Sequence, residues 1–167
     1  EEMLGLTRLI YHWTAGTHKA SDLDKQHYHF IIEGDGTVVP GVYKPEDNAS
    51  TKDGKYAAHT LNCNAGSIGV SLACMAGALE VPFTSGKYPM TKAQWDAGVK
   101  LGAELCKRYR IEVTPQTVLG QAEVQGTLRI KRRGKWDYAR LSWAPDVRGA
   151  TNCGNLLRNL IKKELET

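Results

Sequence analysis

The stretch TRLIYHW, Thr7 to Trp13, decides how the rest of the chain is interpreted. It is a short apolar run, partly β-branched and aromatic, and it predicts a buried strand. The strand leads into His12. A histidine at the end of a buried strand is more often a hydrogen-bonded structural residue than a functional one, so His12 alone does not identify a site.

The segments that follow predict a short helix and then a hairpin. THKASDLDKQ, residues 17–26, is typical of a short helix with Ser21 as its N-cap. HYHFII and TVVPG flank the turn EGDG, residues 33–36. An Asp-Gly pair between two apolar runs is a strong hairpin signal. We therefore expect two antiparallel strands early in the chain.

A long polar region, residues 41–66, predicts loops, and loops this long inside a compact domain are more often functional than not. Strands and helices alternate in the remaining segments. Strands are predicted in SIGVSLACMAG, residues 67–77, and in TVLG, residues 117–120. Amphipathic helices are predicted after Thr91 and over Thr151–Glu166. The pattern favours an α/β fold, a single domain over residues 1–167 with a mixed central β-sheet flanked by helices.

Composition excludes several classes of protein. Hydrophobic residues make up 41% and charged residues 24% of the 167, and no apolar run approaches the roughly 20 residues of a membrane span. We expect no transmembrane segment and a monomer. We also expect no signal peptide in this chain, although the first residue is Glu1 and not an initiator methionine, which leaves open that one was removed. The net charge of +4 lies partly in residues 129–135, yet no nucleic-acid-binding signature accompanies it, so we expect no nucleic-acid partner. Free, mostly buried thiols are expected at Cys63, Cys74, Cys106 and Cys153.

Several short motifs occur in a fixed order: His-Trp-Thr-Ala from His12, Tyr-His-Phe-Ile-Ile from Tyr28, then Ser-Ile-Gly-Val, Ala-Glu-Val and Lys-x-Asp. In this order, residues 9–141 resemble the type 2 N-acetylmuramoyl-L-alanine amidase family. That family includes phage endolysins, bacterial cell-wall recycling amidases and peptidoglycan recognition proteins. The resemblance implies an amidase/peptidoglycan-recognition-like fold and a hydrolase that cleaves the lactyl–L-alanine amide of peptidoglycan.

The resemblance also implies a zinc site formed by His12, the residue at position 121 and Asp137. A catalytic zinc takes three nitrogen, sulfur or oxygen ligands from the protein and keeps one position open. Lys135 matches the lysine that stabilises the oxyanion in the family; otherwise it would be a surface lysine of a basic loop. Tyr28 matches a site tyrosine of the phage members and would transfer protons.

Five further residues have two possible roles or differ from the family pattern. His59 matches a histidine that lines the substrate groove of the family, although a plain loop histidine is the alternative. Because side chains alternate along a strand, His27 and His29 should face away from the site and be structural or surface groups. Glu123 is interpreted as a structural acid, not as a ligand. Ser71 stands where some relatives carry a catalytic glutamate. Because this glutamate is absent here, we expect proton transfer to depend more on Tyr28.

Gln121 is the main departure from the family pattern, which has histidine at this position. A carboxamide oxygen is a weaker zinc donor than imidazole, so we expect weak zinc binding. Three interpretations stay open: an engineered replacement that silences an amidase, a natural loss that leaves a binding domain, or a metal still held by His12, Asp137 and water. Retention of Lys135 and Tyr28 favours an amidase that is weakened or inactive.

The sequence therefore predicts a zinc-dependent, endolysin-like amidase that acts on the bacterial cell wall. It would reach the wall by holin-type or other release, or as a processed exported form. The alternatives are a non-catalytic peptidoglycan-binding module and a protein that inhibits another enzyme through the same surface. The basic residues 129–133 would help it to engage the anionic envelope.

Overall fold

A five-stranded mixed sheet forms the centre of the computed structural model, which describes residues 5–130 and 134–167. Its strand order is β3-β2-β4-β1-β5. Three of the four strand pairs are parallel, and only β2 and β3 pair antiparallel. The strands are β1 (Arg8–Trp13), β2 (Phe30–Ile32), β3 (Val38–Pro40), β4 (Ser67–Leu72) and β5 (Val118–Gly120).

Helices flank this sheet in the same described ranges. The longest begins after Thr91, whose hydroxyl accepts a hydrogen bond from the Gln94 amide while the Gln94 side chain accepts one from Thr91. This reciprocal cap fixes the helix start that the sequence predicted. The helices are α1 (Asp22–His27), α2 (Lys92–Tyr109), α3 (Val124–Leu128) and α4 (Ala150–Leu165). Short 3-10 turns span Pro45–Ala49 and Gln121–Glu123. None of the described helices is long and apolar enough to cross a bilayer.

The core lies between the sheet and helices α2 and α4. Strands β1 and β4 are buried nearly throughout because each has a neighbour on both sides. Tyr11 extends from β1 to α2, where its hydroxyl donates to the Gly98 carbonyl at 2.8 Å. A side chain at Gly102 would collide with that hydroxyl, since an added Cβ would lie 2.2 Å from it. The four cysteines are buried free thiols, as expected.

The expected fold is confirmed, but one local prediction was wrong and one helix was not predicted. The predicted strand HYHFII starts only at Phe30, because the Tyr28 amide still donates to Asp24 at the end of α1. No helix was predicted directly after β5, where the chain forms a 3-10 turn followed by α3. Of the predicted basic segment, residues 131–133 lie outside the described residues.

Candidate functional site

The site forms where two parallel strands end at the same edge of the sheet. Strands β1 and β5 pair in a register that sets Tyr11 opposite Gly120. The next residues along the chain, His12 in β1 and Gln121 directly after β5, therefore also come together. Nδ1 of the buried His12 lies 3.0 Å from Oε1 of Gln121. The parallel register thus explains why residues far apart in sequence meet.

Asp137 reaches the same point from a later loop and is fixed by three backbone anchors. Its Oδ2 lies 3.7 Å from Nδ1 of His12 and accepts a hydrogen bond from the Trp13 amide at 3.3 Å. The Tyr138 hydroxyl donates to the His12 carbonyl at 2.7 Å, and the Ala122 amide donates to the Asp137 carbonyl at 2.6 Å. The loop is therefore attached to both strand ends.

Three atoms of types that can bind a metal consequently converge: Nδ1 of His12, Oε1 of Gln121 and Oδ2 of Asp137. Zinc bonds of about 2.0–2.2 Å in tetrahedral geometry place two ligand atoms about 3.3–3.6 Å apart. The separations of 3.0 and 3.7 Å bracket that range. The spacing fits a zinc ion, whereas the amide oxygen makes one of the three donors weak. Within residues 5–130 and 134–167, no three histidine, cysteine, aspartate or glutamate side chains are grouped as a metal site.

His59 packs behind His12 in a chain of polar contacts. Its Nδ1 lies 3.1 Å from Nε2 of His12 and 2.7 Å from the Thr60 hydroxyl, and its Nε2 lies 3.1 Å from the Ser67 carbonyl. The imidazole lies directly over Gly69, where an added Cβ would come within 2.6 Å of the ring. The absence of a side chain at Gly69 is therefore what makes room for His59.

Tyr28 lies on the groove side of His12, with the two ring centroids 5.2 Å apart. Burial, followed by the negative charge of Asp137, raises the pKa of Tyr28 to about 12. The phenol therefore stays protonated at neutral pH. Ser71 is the partner of His12 in the register of β1 and β4, so the two residues lie side by side in the sheet.

Tyr28, His59, Gln121 and Asp137 line a groove of about 680 Å³, and the fully buried His12 contacts each of these four side chains. Lys135 is exposed on its rim, next to the buried Asp137. Leu61, 59% exposed, and Trp136 add apolar surface. The groove is thus lined by polar, apolar and aromatic side chains. Its other lining residues are Thr14, Ala15, Tyr56, Ala58, Thr60, Asn64 and Gly134.

The two other histidines of the YHF region are occupied by structural hydrogen bonds. Buried His29 accepts from the Gly69 amide through Nδ1 at 2.9 Å, and its Nε2 lies 2.9 Å from the Asn48 side-chain oxygen. Burial lowers the pKa of His29 to about 4. His27 bonds the Ala58 carbonyl at 2.9 Å. Both residues support the fold, as expected.

Arg158 of α4 was not predicted, although it positions the segment that carries Gln121. Its guanidinium binds both carboxylate oxygens of Glu123, at 3.0 and 2.9 Å, and donates to the Val118 carbonyl at 2.9 Å. Glu123 in turn accepts from the Gly120 amide at 3.1 Å. One feature of the sequence could have indicated a buried partner for Arg158. This residue lies on the apolar face of α4, where an unpaired charge would be costly.

Comparison with known proteins identifies the family and relatives of the fold. Residues 5–139 match the family described as N-acetylmuramoyl-L-alanine amidase. No curated protein matches the chain in sequence. Among solved structures, the amidase AmiD from E. coli is 20% identical over 73% of this chain, with a TM-score of 0.53. AMPDH3 from Pseudomonas aeruginosa is also 20% identical over 73% of this chain, with a TM-score of 0.53. PGRP-SA of the bumblebee is 14% identical over 84% of this chain, with a TM-score of 0.54.

The matched regions make up 50% of AmiD, 52% of AMPDH3 and 80% of the bumblebee protein. The chain therefore spans about half the length of the first two proteins. At these identities the structural likeness concerns the fold alone, and it agrees with the fold that the sequence predicted. The family match covers most of the chain, and on that basis the chain belongs to the N-acetylmuramoyl-L-alanine amidase family.

Proposed function

We propose that this chain is a peptidoglycan amidase of the endolysin or wall-remodelling kind, weakened or inactivated by Gln121. It would cleave the amide between the lactyl group of N-acetylmuramic acid and L-alanine, acting on the bacterial cell wall as a monomer. The observation that carries the proposal is the convergence of Gln121 Oε1 and Asp137 Oδ2, from two residues that line the groove, on Nδ1 of the buried His12.

His12, Gln121 and Asp137 would hold the metal, which we propose to be zinc. When bound, the ion would supply Lewis-acid activation of a water and of the scissile carbonyl. Asp137 is kept close to His12 by the Trp13 amide, and Gln121 by the strand register, so these donors are arranged in advance. The neutral amide oxygen of Gln121 is the weak member of the set.

The substrate class is inferred from the groove and from a relative. AmiD was solved with its substrate anhydro-N-acetylmuramic acid-L-Ala-D-γ-Glu-L-Lys, a sugar joined to a short peptide. A groove of about 680 Å³ with Trp136 and Leu61 on its walls is suited to such a ligand. His59 also lines this groove, in agreement with the substrate contact that the family resemblance implies.

Two further side chains complete the proposed chemistry. Lys135 on the rim would place its ammonium near the carbonyl oxygen as negative charge develops there. Tyr28 would take up the proton that the attacking water loses as it gives its own proton to the nitrogen of L-alanine, so the two transfers balance when the amide bond breaks. Burial, and after it the negative charge of Asp137, raises the pKa of Tyr28 to about 12, so the phenol carries its proton at neutral pH.

A second candidate function is a peptidoglycan-binding module that does not cut. It is favoured by the 3.0 Å contact between His12 Nδ1 and Gln121 Oε1, because an imidazole N–H can be satisfied there without any metal. The groove would then bind the same sugar-peptide ligand and release it unchanged.

Digestion of purified peptidoglycan separates the two candidates. We expect Gln121→His, supplied with zinc, to release stem peptides that begin with a free L-alanine amine, detected by mass spectrometry. The unsubstituted chain should release them much more slowly or not at all. If Gln121→His holds zinc, binds peptidoglycan and releases no stem peptide, the binding module is the correct function.

A further inference from the structure

A second cavity, of about 490 Å³, opens beside the groove. Tyr56, Leu61 and Asn64 line both spaces, so the two adjoin. Arg8, the first residue of β1, lines the second cavity. Among the described residues that line the two spaces, Asp137 of the candidate metal site is the one carboxylate. The second cavity thus presents a positive charge, which favours an anionic ligand.

Arg8 lies on the same face of the sheet as His12. Side chains alternate along a strand, so Arg8, Ile10 and His12 point to one side of β1. Tyr11 points to the other side and joins the core under α2, whereas Ile10 packs with Cys63, which also lines the second cavity. Arg8 precedes His12 by four residues, which is about 13 Å along a strand.

The guanidinium of Arg8 is held in place by neutral partners. Its Nη1 donates to the Ser67 hydroxyl at 2.8 Å and lies 3.4 Å from both the Ala65 carbonyl and Sγ of Cys63. Within residues 5–130 and 134–167, Nη2 and Nε of Arg8 have no acceptor, and no carboxylate pairs with the side chain. A carboxylate can accept two parallel hydrogen bonds from a guanidinium, so Arg8 is equipped to bind one.

Asn64 adds a donor whose orientation is fixed. Its Oδ1 accepts from the backbone amides of His59 at 2.9 Å and Thr60 at 2.8 Å, which identifies the other side-chain atom as Nδ2. In the described part of the chain, no residue accepts a hydrogen bond from this Nδ2. Because Asn64 lines both spaces, its two amide hydrogens are available to a ligand that extends from the groove into the second cavity.

We propose that Arg8 and Asn64 form a carboxylate site that binds the free terminal carboxylate of a three-residue stem peptide. The identity of the peptide rests on the proposed function. Each extended residue spans about 3.3–3.6 Å and a γ-linked glutamate lengthens the chain, so three stem residues cover about 13 Å from the scissile amide. The terminal carboxylate therefore reaches Arg8 when the scissile amide lies near His12. The α-carboxylate of the glutamate, at roughly half that length, falls short of Arg8.

Two synthetic peptides joined to N-acetylmuramic acid test the proposal. Both have three residues with a γ-linked glutamate, and the third residue ends in a carboxylate in one and in a primary amide in the other. In calorimetry with the unsubstituted chain and no added zinc, the carboxylate form should bind about 10–100-fold more tightly, because hydrogen bonds to a charged group are lost in the amide. Equal affinity for the two peptides would overturn the site. This comparison needs no variant and so does not depend on how a substitution affects folding.

Substitution of Arg8 identifies the residue responsible. Arg8→Gln should bind both peptides with the affinity that the unsubstituted chain has for the amide form, and Arg8→Lys should keep part of the preference. Lys55→Gln is the matched control, since it removes the same charge from an exposed side chain that lines neither space, and it should keep the full preference. A preference that survives in Arg8→Gln would contradict the role of Arg8. Absence of binding by both peptides would overturn the proposed substrate together with this site, whereas equal binding overturns the site alone.

Discussion

Nδ1 of His12 lies 3.7 Å from Oδ2 of Asp137, and this contact joins the central strand to a loop from far along the chain. Both neighbours of Asp137 are attached to β1. Trp136 packs on Trp13 with ring centroids 4.7 Å apart, and the Tyr138 hydroxyl bonds the His12 carbonyl. Because packing and backbone hydrogen bonds hold the loop, we expect the site to keep this arrangement without a metal.

Lys135→Ala should lower stem-peptide release by Gln121→His about 100- to 1,000-fold while leaving its zinc content unchanged. The reason is that a donor aimed at a developing oxyanion acts mainly in the transition state. Turnover and bound zinc are measured on the same preparation. Lys107→Ala, at the exposed end of α2, is the control and should behave like the parent. Unchanged turnover in Lys135→Ala would make Lys135 an ordinary surface lysine.

Gly69→Ala should displace the His59 ring and weaken zinc binding in the Gln121→His background. An added Cβ would lie 2.6 Å from Cγ and 2.7 Å from Cδ2 of His59, so the ring has to move away from His12. Gly126→Ala is the control, since its added Cβ meets nothing within 4 Å. Zinc affinity is the measurement. Equal affinity in the two alanine variants would contradict the role given to Gly69.

Much of this organisation could be predicted from local patterns. The Asp35-Gly36 turn, the Thr91 cap and the buried run ending at His12 each depend on nearby residues, and the structure forms all three. The order of the motifs then pointed to the residues that come together at the sheet edge. These features are local or follow from strand order, so a single sequence contains them.

The contacts behind the site could not be predicted in the same way. His59 reaches His12 only because a long loop folds over Gly69, and loop conformation has no periodic signature. The ion pair between Arg158 and Glu123 joins two segments that give no indication of each other in sequence. Such contacts depend on the packing of the complete chain, which local pattern does not determine.

Arg158→Met should lower the free energy of unfolding by about 3–5 kcal/mol, because it leaves Glu123 as a buried, unpaired charge. Urea unfolding gives the value. The double variant Arg158→Met/Glu123→Gln should recover part of the loss, since the stranded charge is also removed. A double variant that is less stable by the sum of the two single losses would show that the two residues are not coupled.

Stability should fall in mild acid because of His29. Burial lowers the pKa of His29 from 6.5 to about 4, so below pH 6.5 the unfolded chain binds a proton that the folded protein does not. The free energy of unfolding therefore decreases as the pH falls, by about 2 kcal/mol between pH 7 and pH 5 from this residue. Urea unfolding at the two pH values measures the change. His29→Asn should show a correspondingly smaller difference, and an identical difference would contradict the assignment.

Calorimetric titration of zinc into the unsubstituted chain and into Gln121→His tests the central claim most directly. If position 121 supplies a metal ligand, imidazole in place of the amide oxygen should tighten zinc binding by more than about 100-fold. Asp137→Ala in the Gln121→His background should weaken it again, because a second of the converging donors is lost. Equal zinc affinity in the glutamine and histidine forms would show that residue 121 is not part of a metal site.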